Sequence, residues 1–186
     1  MKWITVVVMF FALLVQGCKT YISHKDIGLS KKITIEKWRF SFELPSEKWA
    51  LSQHPENKET KKETYMYMRE AILDSLKREI KPVIGFIFEK VPRDTDVIAY
   101  HVVRRVPGAK FERAFTHENG SMVLPLAIGW VLTYIRAGVE HTVKKVDAID
   151  GDIGLQVIMD VTTELFPVVE KEFDYTLKSL RFIPEK

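Results

Sequence analysis

The chain holds one cysteine, Cys18, among its 186 residues, so no disulfide can close within it and no Cys-x-x-Cys pair is present to grip zinc. Its five histidines, His24, His54, His101, His117 and His141, are dispersed, and His-Glu-x-x-His is absent. His117-Glu118 is the nearest approach to an acid/base pair and reads as an exposed loop. Asp147, Asp150 and Asp152 lack the spacing of a calcium loop and suit a hairpin turn instead. There is no Gly-x-Ser-x-Gly, and Gly120-Ser121 has no readable base beside it. No basic tract exists either: the pairs Lys31-Lys32, Lys61-Lys62, Arg104-Arg105 and Lys144-Lys145 are scattered, the net charge is only +3, and each pair reads as a solvated face. These absences predict no catalytic residue, no metal, no cofactor and no nucleic-acid partner, hence a protein that is not an enzyme.

Long apolar runs are missing too, with one informative near miss. Met1-Lys2 precedes thirteen residues, Trp3 to Val15, whose only polar side chain is Thr5. At 1.5 Å per residue such a run reaches roughly 20 Å, short of the roughly 30 Å of hydrocarbon that a spanning helix must cross, so it reads as a signal-peptide core over residues 1–17. Its end, Val15-Gln16-Gly17-Cys18, resembles the lipobox of bacterial lipoproteins. The resemblance implies cleavage between Gly17 and Cys18 and a diacylglyceryl group on the Cys18 sulfur. Gln16 is larger than the usual residue there, and Leu14 stands one place early. A lipid partner also removes a reactive lone thiol. Two or three acyl chains hold a protein stably where one does not. Residues 18–30 are polar and read as a flexible tether of about 20 Å average span. The expected place is extracytoplasmic, at the cell envelope, and Lys19 in place of Asp favours an outer membrane facing the periplasm where two membranes exist.

The remainder, residues 31–186, is the right size for one globular domain with a substantial core. Trp38, Phe40, Phe42 and Leu44 alternate with polar residues and predict a strand ended by Pro45; Ile33 and Ile35 have the opposite parity, so a break lies between. Residues 53–63 read as a loop. The stretch from Arg69 to Lys81 is ambiguous: Tyr65, Met68, Ile72, Leu76 and Ile80 follow helical spacing, whereas Tyr65 to Met68 also suits a strand. Residues 83–91 predict a buried strand, and a helix capped by Asp94 or Thr95 follows from 96 to about 105. Strands are expected over 110–116, 127–137, 140–148 and 154–162. Gly138 and Asp150-Gly151-Asp152 would turn the last three into a meander. A final helix, 164–182, starts near Pro167 and carries Val169, Phe173, Thr176, Leu177 and Leu180 as an apolar stripe. The fold class predicted is α+β: a central antiparallel sheet packed between one medial and one C-terminal helix.

Four stretches together resemble the PsbP-like family, which includes photosystem II extrinsic proteins, the Mog-type Ran-binding protein and small bacterial lipoproteins. They are Phe40-Ser41-Phe42-Glu43-Leu44-Pro45 with Trp49, Pro82 to Glu89, the Asp-rich start of the medial helix, and Phe173 to Phe182. The resemblance implies an α/β/α sandwich, makes 69–81 a strand end and loop, and carries over no functional residue. With no chemistry evident, the expected role is a lipid-anchored module that binds an envelope protein partner. Two alternatives stand beside it. A carrier of a small apolar or lipid ligand would need a cavity of a few hundred Å³ between helix and sheet, where Trp130, Tyr134, Phe111 and the Tyr65 to Met68 cluster could line it. An envelope enzyme would need titratable side chains converging in one cleft.

Overall fold

The computed structural model describes residues 30–53, 56–57, 62–117 and 122–185. The signal peptide, Cys18 and the tether up to residue 29, and His24, His54, Glu118, Gly120 and Ser121 lie outside the described residues.

Strand β1 (Lys31–Ile35) runs into a 3-10 turn, Glu36–Trp38, and Arg39 adopts φ 47° before β2 (Phe40–Leu44). That turn is the break which the parity of Ile33 and Ile35 predicts, but it takes Trp38 with it, so the strand starts later than the alternation suggests. Next come β3 (Trp49–Gln53), β4 (Glu56–Asn57) and β5 (Lys62–Arg69). The expected 53–63 loop thus contains a short strand, β4, paired with β5. Residues 69–81 form the end of β5 and a small hairpin, β6 (Ile72–Leu73) and β7 (Glu79–Ile80), not a helix. The Asp74 carboxylate accepts from the backbone N–H groups of Leu76 and Arg78 at 2.9 and 2.8 Å, local bonds that hold a turn where the periodicity suggests a helix.

From there the strands follow the sequence closely: β8 (Val83–Lys90), then helix α1 (Val97–Val102), β9 (Lys110–Phe115), β10 (Ala127–Arg136), β11 (Val139–Asp150) and β12 (Ile153–Thr162). Ala137 and Gly138 both have positive φ, 49° and 78°, which gives the two-residue hairpin between Arg136 and Val139 its strand-matching twist. Helix α2 (Phe166–Ser179) begins with Pro167 in its first turn and is followed by β13 (Arg181–Phe182), a strand where the sequence suggests helix to 182.

All pairings are antiparallel. The main sheet runs β3-β5-β8-β12-β11-β10-β9, and β1-β2-β13 form a separate small sheet. Both edge strands carry a register shift, β3 between Leu51 and Gln53 of its pairing with β5, and β9 opposite Val131 and Leu132. One face of the main sheet is covered by α2 and the small sheet. There Phe42 stacks on Phe86 at 4.1 Å, Phe40 meets Phe88 at 5.4 Å, and Val169, Phe173, Leu177 and Leu180 are fully buried against Leu155, Val157 and Met159. Each such side chain contributes roughly 1.5–3 kcal/mol of burial. A buried carboxylate stitches the layer: Glu172 of α2 accepts from Trp49 Nε1 at 2.6 Å and from Arg69 Nε at 3.0 Å.

The fold is α+β with a medial and a C-terminal helix, but the layering differs from a sheet sandwiched between helices. It is dominated by sheet: α2 shares its face with three strands, and among the described residues the other helix, α1, has six residues. The expected 96–105 helix is shorter: Val102 is its last helical residue, Val103 caps it, and the chain turns ahead of Pro107-Gly108.

Candidate functional site

A six-residue helix has no stability of its own, so α1 must be held by what it touches. Asp96 caps it, accepting from the N–H groups of Ile98 and Ala99 at 2.8 and 3.0 Å. Tyr100 descends onto Gly154 of β12 so closely that a Cβ there would lie 2.6 Å from the ring, and its hydroxyl donates to Glu89 at 2.8 Å. Arg104 donates to the same carboxylate at 2.6 Å and lies 3.7 Å over the Tyr100 ring. Burial, and then the Glu89 charge, raise the Tyr100 hydroxyl above its ordinary pKa; burial alone would raise Glu89, but the bonds from Tyr100 and Arg104 outweigh it and hold that carboxyl low.

The third attachment is chemically richer. His101 donates from Nδ1 to Asp147 Oδ2 at 2.5 Å, and Lys145 Nζ donates to the same oxygen. Lys145 and Asp147 stand two apart on β11, so both point to the α1 side, and both are buried, at 1% and 0% exposure. The imidazole lies flat on Trp130 of β10, centroids 4.8 Å apart and planes 8° from parallel. Burial lowers the pKa of Lys145, and the Asp147 charge opposes that shift. Two polar atoms here are buried without a partner among the described residues, Asp147 Oδ1 and Trp130 Nε1. An unpaired buried polar atom is costly, so such atoms ask for an explanation.

Beside this cluster is a groove of about 410 Å³, with α1 and the turn after it on one side and β9, β10 and β11 on the other. Its walls are Ile98, Val102, Phe111, Ile128 and Leu132 with their small apolar neighbours; its polar lining is His101, Arg105, Lys145 and the Trp130 indole. Phe111 meets Trp130 edge to face at 4.7 Å.

The sequence-derived candidates divide cleanly against this geometry. Trp130 and Phe111 do share a groove. Tyr134 lies further along the same face, donating to Asp160 at 2.8 Å, with His141 Nδ1 on the other oxygen of that carboxylate at 2.9 Å. Tyr65 and Tyr67 point the other way, into the core against Phe88 and Phe86. Asp147, Asp150 and Asp152 diverge: Asp150 pairs with Arg39, and Asp152 with Lys90. His117 contacts the Met122 carbonyl at 3.2 Å. The Lys144-Lys145 pair is no solvated face. Both lysines are buried on opposite sides of β11, Lys144 bonding Asp174 of α2 and Lys145 bonding Asp147. The convergence of His101, Lys145 and Asp147 escapes sequence reading because it joins a helix to a strand. Its one sequence signal is a Lys and an Asp at strand spacing amid Val143, Val146 and Ala148.

No protein-family model matches the chain, and no match is found among curated proteins. Solved structures do resemble it. LpqN of Mycobacterium tuberculosis, a protein involved in cell envelope biogenesis, superposes with a TM-score of 0.57 at 16% identity, over 83% of this chain and 91% of that one. A Bacteroides thetaiotaomicron protein gives 0.54 at 14% identity over 86% of this chain; the match spans 50% of that longer chain. PA94 of Pseudomonas aeruginosa, a protein of unknown function, gives 0.49 at 14% identity over 85% of this chain and 100% of that one. At these identities the likeness is one of fold.

Proposed function

We propose that this chain is a binding module of the cell envelope, held at a membrane by lipid on Cys18, and that its working site is the groove beneath α1, which takes a small, largely apolar ligand. The observation that carries the reading is the groove itself: about 410 Å³ with mostly apolar walls and a few convergent polar groups, the composition and size of small-molecule sites. Address rests on separate grounds. The lipobox-like Val15-Gln16-Gly17-Cys18 supports anchorage, and the fold shared with LpqN, itself an envelope-biogenesis protein, supports the compartment. The PsbP-like layout belongs to the same proposal. The titratable lining groups, the buried Lys145 amine among them, are also what an enzyme would use; binding is the preferred reading because most of the wall is apolar.

Two experiments test it. Cys18→Ala should move the protein from the membrane to the soluble fraction; unchanged membrane partitioning would refute the anchor. In membranes bearing the full-length protein, a photoactivatable decanol should label peptides containing Phe111 and Trp130, and Ile128→Trp, which fills the groove, should abolish that labelling. Labelling that Ile128→Trp leaves untouched would count against the groove. A protein partner is the second reading, favoured by the apolar rim, where Ile98 and Val103 are 60% and 75% exposed. A photoreactive residue at position 103 would report it as a protein adduct.

A further inference from the structure

The polar lining of the groove is one-sided. No acid, amide or hydroxyl side chain lines it; Lys145, Arg105 and Trp130 bring N–H donors, and His101 has its Nδ1 committed to Asp147. Trp130 Nε1 is buried with nothing to donate to among the described residues. Asp147 sits behind this lining with one oxygen already taken by both His101 and Lys145. The buried Lys145 and Asp147 charges cancel, and Arg105, exposed to solvent, is the one further cation of the lining, so the groove suits a head group with one negative charge.

The arrangement of depth is equally specific. Lys145 and the Trp130 donor are buried, whereas Ile98, Val102 and Phe111 are exposed to solvent. At about 30 Å³ for a water-sized group, the volume accommodates roughly a dozen non-hydrogen atoms. We infer, building on the reading of the groove as a ligand site, that its ligand is a single-chain amphiphile with a carboxylate head, bound head first. The head accepts from Lys145 and from Trp130 Nε1, and the chain leaves over Phe111 and Ile98. A monoanion balances the charge; a dianionic phosphate overshoots it and returns an uncompensated charge to a buried site, which is strongly unfavourable.

The test uses the full-length protein in its membrane and two photoactivatable probes of equal length, decanoic acid and decanol. The acid-to-alcohol labelling ratio of the groove peptides is compared between the wild type and Lys145→Met/Asp147→Asn, a double substitution that removes both charges and strands neither. Because both proteins sit in the same bilayer, unequal partitioning of the probes cancels. The ratio should fall about tenfold in the variant, the worth of one charge-assisted bond that the acid makes and the alcohol does not. An unchanged ratio with decanol labelling intact overturns the carboxylate and leaves the groove standing; loss of labelling by both probes in the wild type removes the groove reading and this one with it. Should the variant fail to fold, the wild type decides alone. A diazirine beside the carboxyl group should mark Trp130 and Lys145, one at the chain end should mark Ile98 and Val102, and the reverse pattern overturns head-first binding.

Discussion

Adding one carbon at Gly154 should unseat α1 and with it the groove. A Cβ built there lies 2.6 to 2.8 Å from the Cε2, Cζ and hydroxyl atoms of Tyr100, against the 3.5–4.0 Å of ordinary carbon contact, so the ring must retreat by roughly 1 Å. It has little room to do so, being buried, bonded to Glu89 at 2.8 Å and covered by Arg104 at 3.7 Å. The overpacking cost is about 1–3 kcal/mol, and weakening the Tyr100 to Glu89 bond adds about 1 kcal/mol. Gly154→Ala is therefore expected to lose about 2–4 kcal/mol in urea unfolding followed by tryptophan fluorescence. It should also reduce decanol labelling of the groove, because His101 and Ile98 move with Tyr100. Tyr100→Leu removes the obstructing ring at a cost of about 2 kcal/mol of its own, and the double variant should be little worse than Tyr100→Leu alone, an interaction energy that nearly equals the Gly154→Ala loss, about 2–4 kcal/mol in magnitude. A Gly154→Ala protein within about 0.5 kcal/mol of wild type, or additive effects in the double variant, would refute the reasoning.

Two further outcomes follow from buried carboxylates. Glu172→Gln leaves Arg69 without its counter-charge under α2 and should cost about 3 kcal/mol by the same unfolding measurement; a loss under about 1 kcal/mol would mean that the pair is solvated. Burial alone would raise the Glu63 carboxyl, but the bonds from Lys37, Trp38 and Tyr65 outweigh it and hold it below the ordinary range; Glu89 behaves likewise. A carboxyl lowered in the folded state takes up its proton more readily when unfolded, so this stabilisation is complete above the unfolded value of about 4.3 and is lost as pH falls through the lower folded value. Unfolding free energies measured from pH 6 down to pH 3 should decline over that window, and Glu63→Gln should make the decline shallower. Equal slopes would show that Glu63 is not among its causes.

What could be read from the chain and what could not have a common physical origin. Strands β8 to β12 are legible to within one or two residues because runs of β-branched and aromatic residues and the turns at Gly138 and Gly151 are local signals. The 69–81 stretch misleads because the apolar positions of a strand followed by a short hairpin happen to fall at helical spacing, and Asp74, which decides the matter, acts through backbone bonds that no periodicity reports. Lys144 and Lys145 read as surface because lysine is rarely buried; their burial depends on partners 30 residues away on α2 and two residues away on β11. The candidate site needs three separate elements, α1, β10 and β11, to coincide, so only its aromatic members, Trp130 and Phe111, were visible beforehand.

The register shifts at the two rims of the main sheet bear on how these molecules behave in company. Opposite Val131 and Leu132 the pairing steps from Arg113 to Phe111, which leaves Glu112 as a spare residue in β9. Strict alternation would place Phe111 on the same side as Arg113, which reaches Glu170 on α2; the extra residue returns it to the Trp130 side. Deleting Glu112 should therefore leave Phe111 facing Leu132, with the groove intact, while straightening a rim that is otherwise kinked. On the proposed lipid anchor, copies crowded in the plane of a membrane would meet far more often than copies in solution, and a straight rim invites the next molecule to add its own strand. The expected phenotype of that deletion is a protein that keeps its groove and assembles edge to edge into chains of copies.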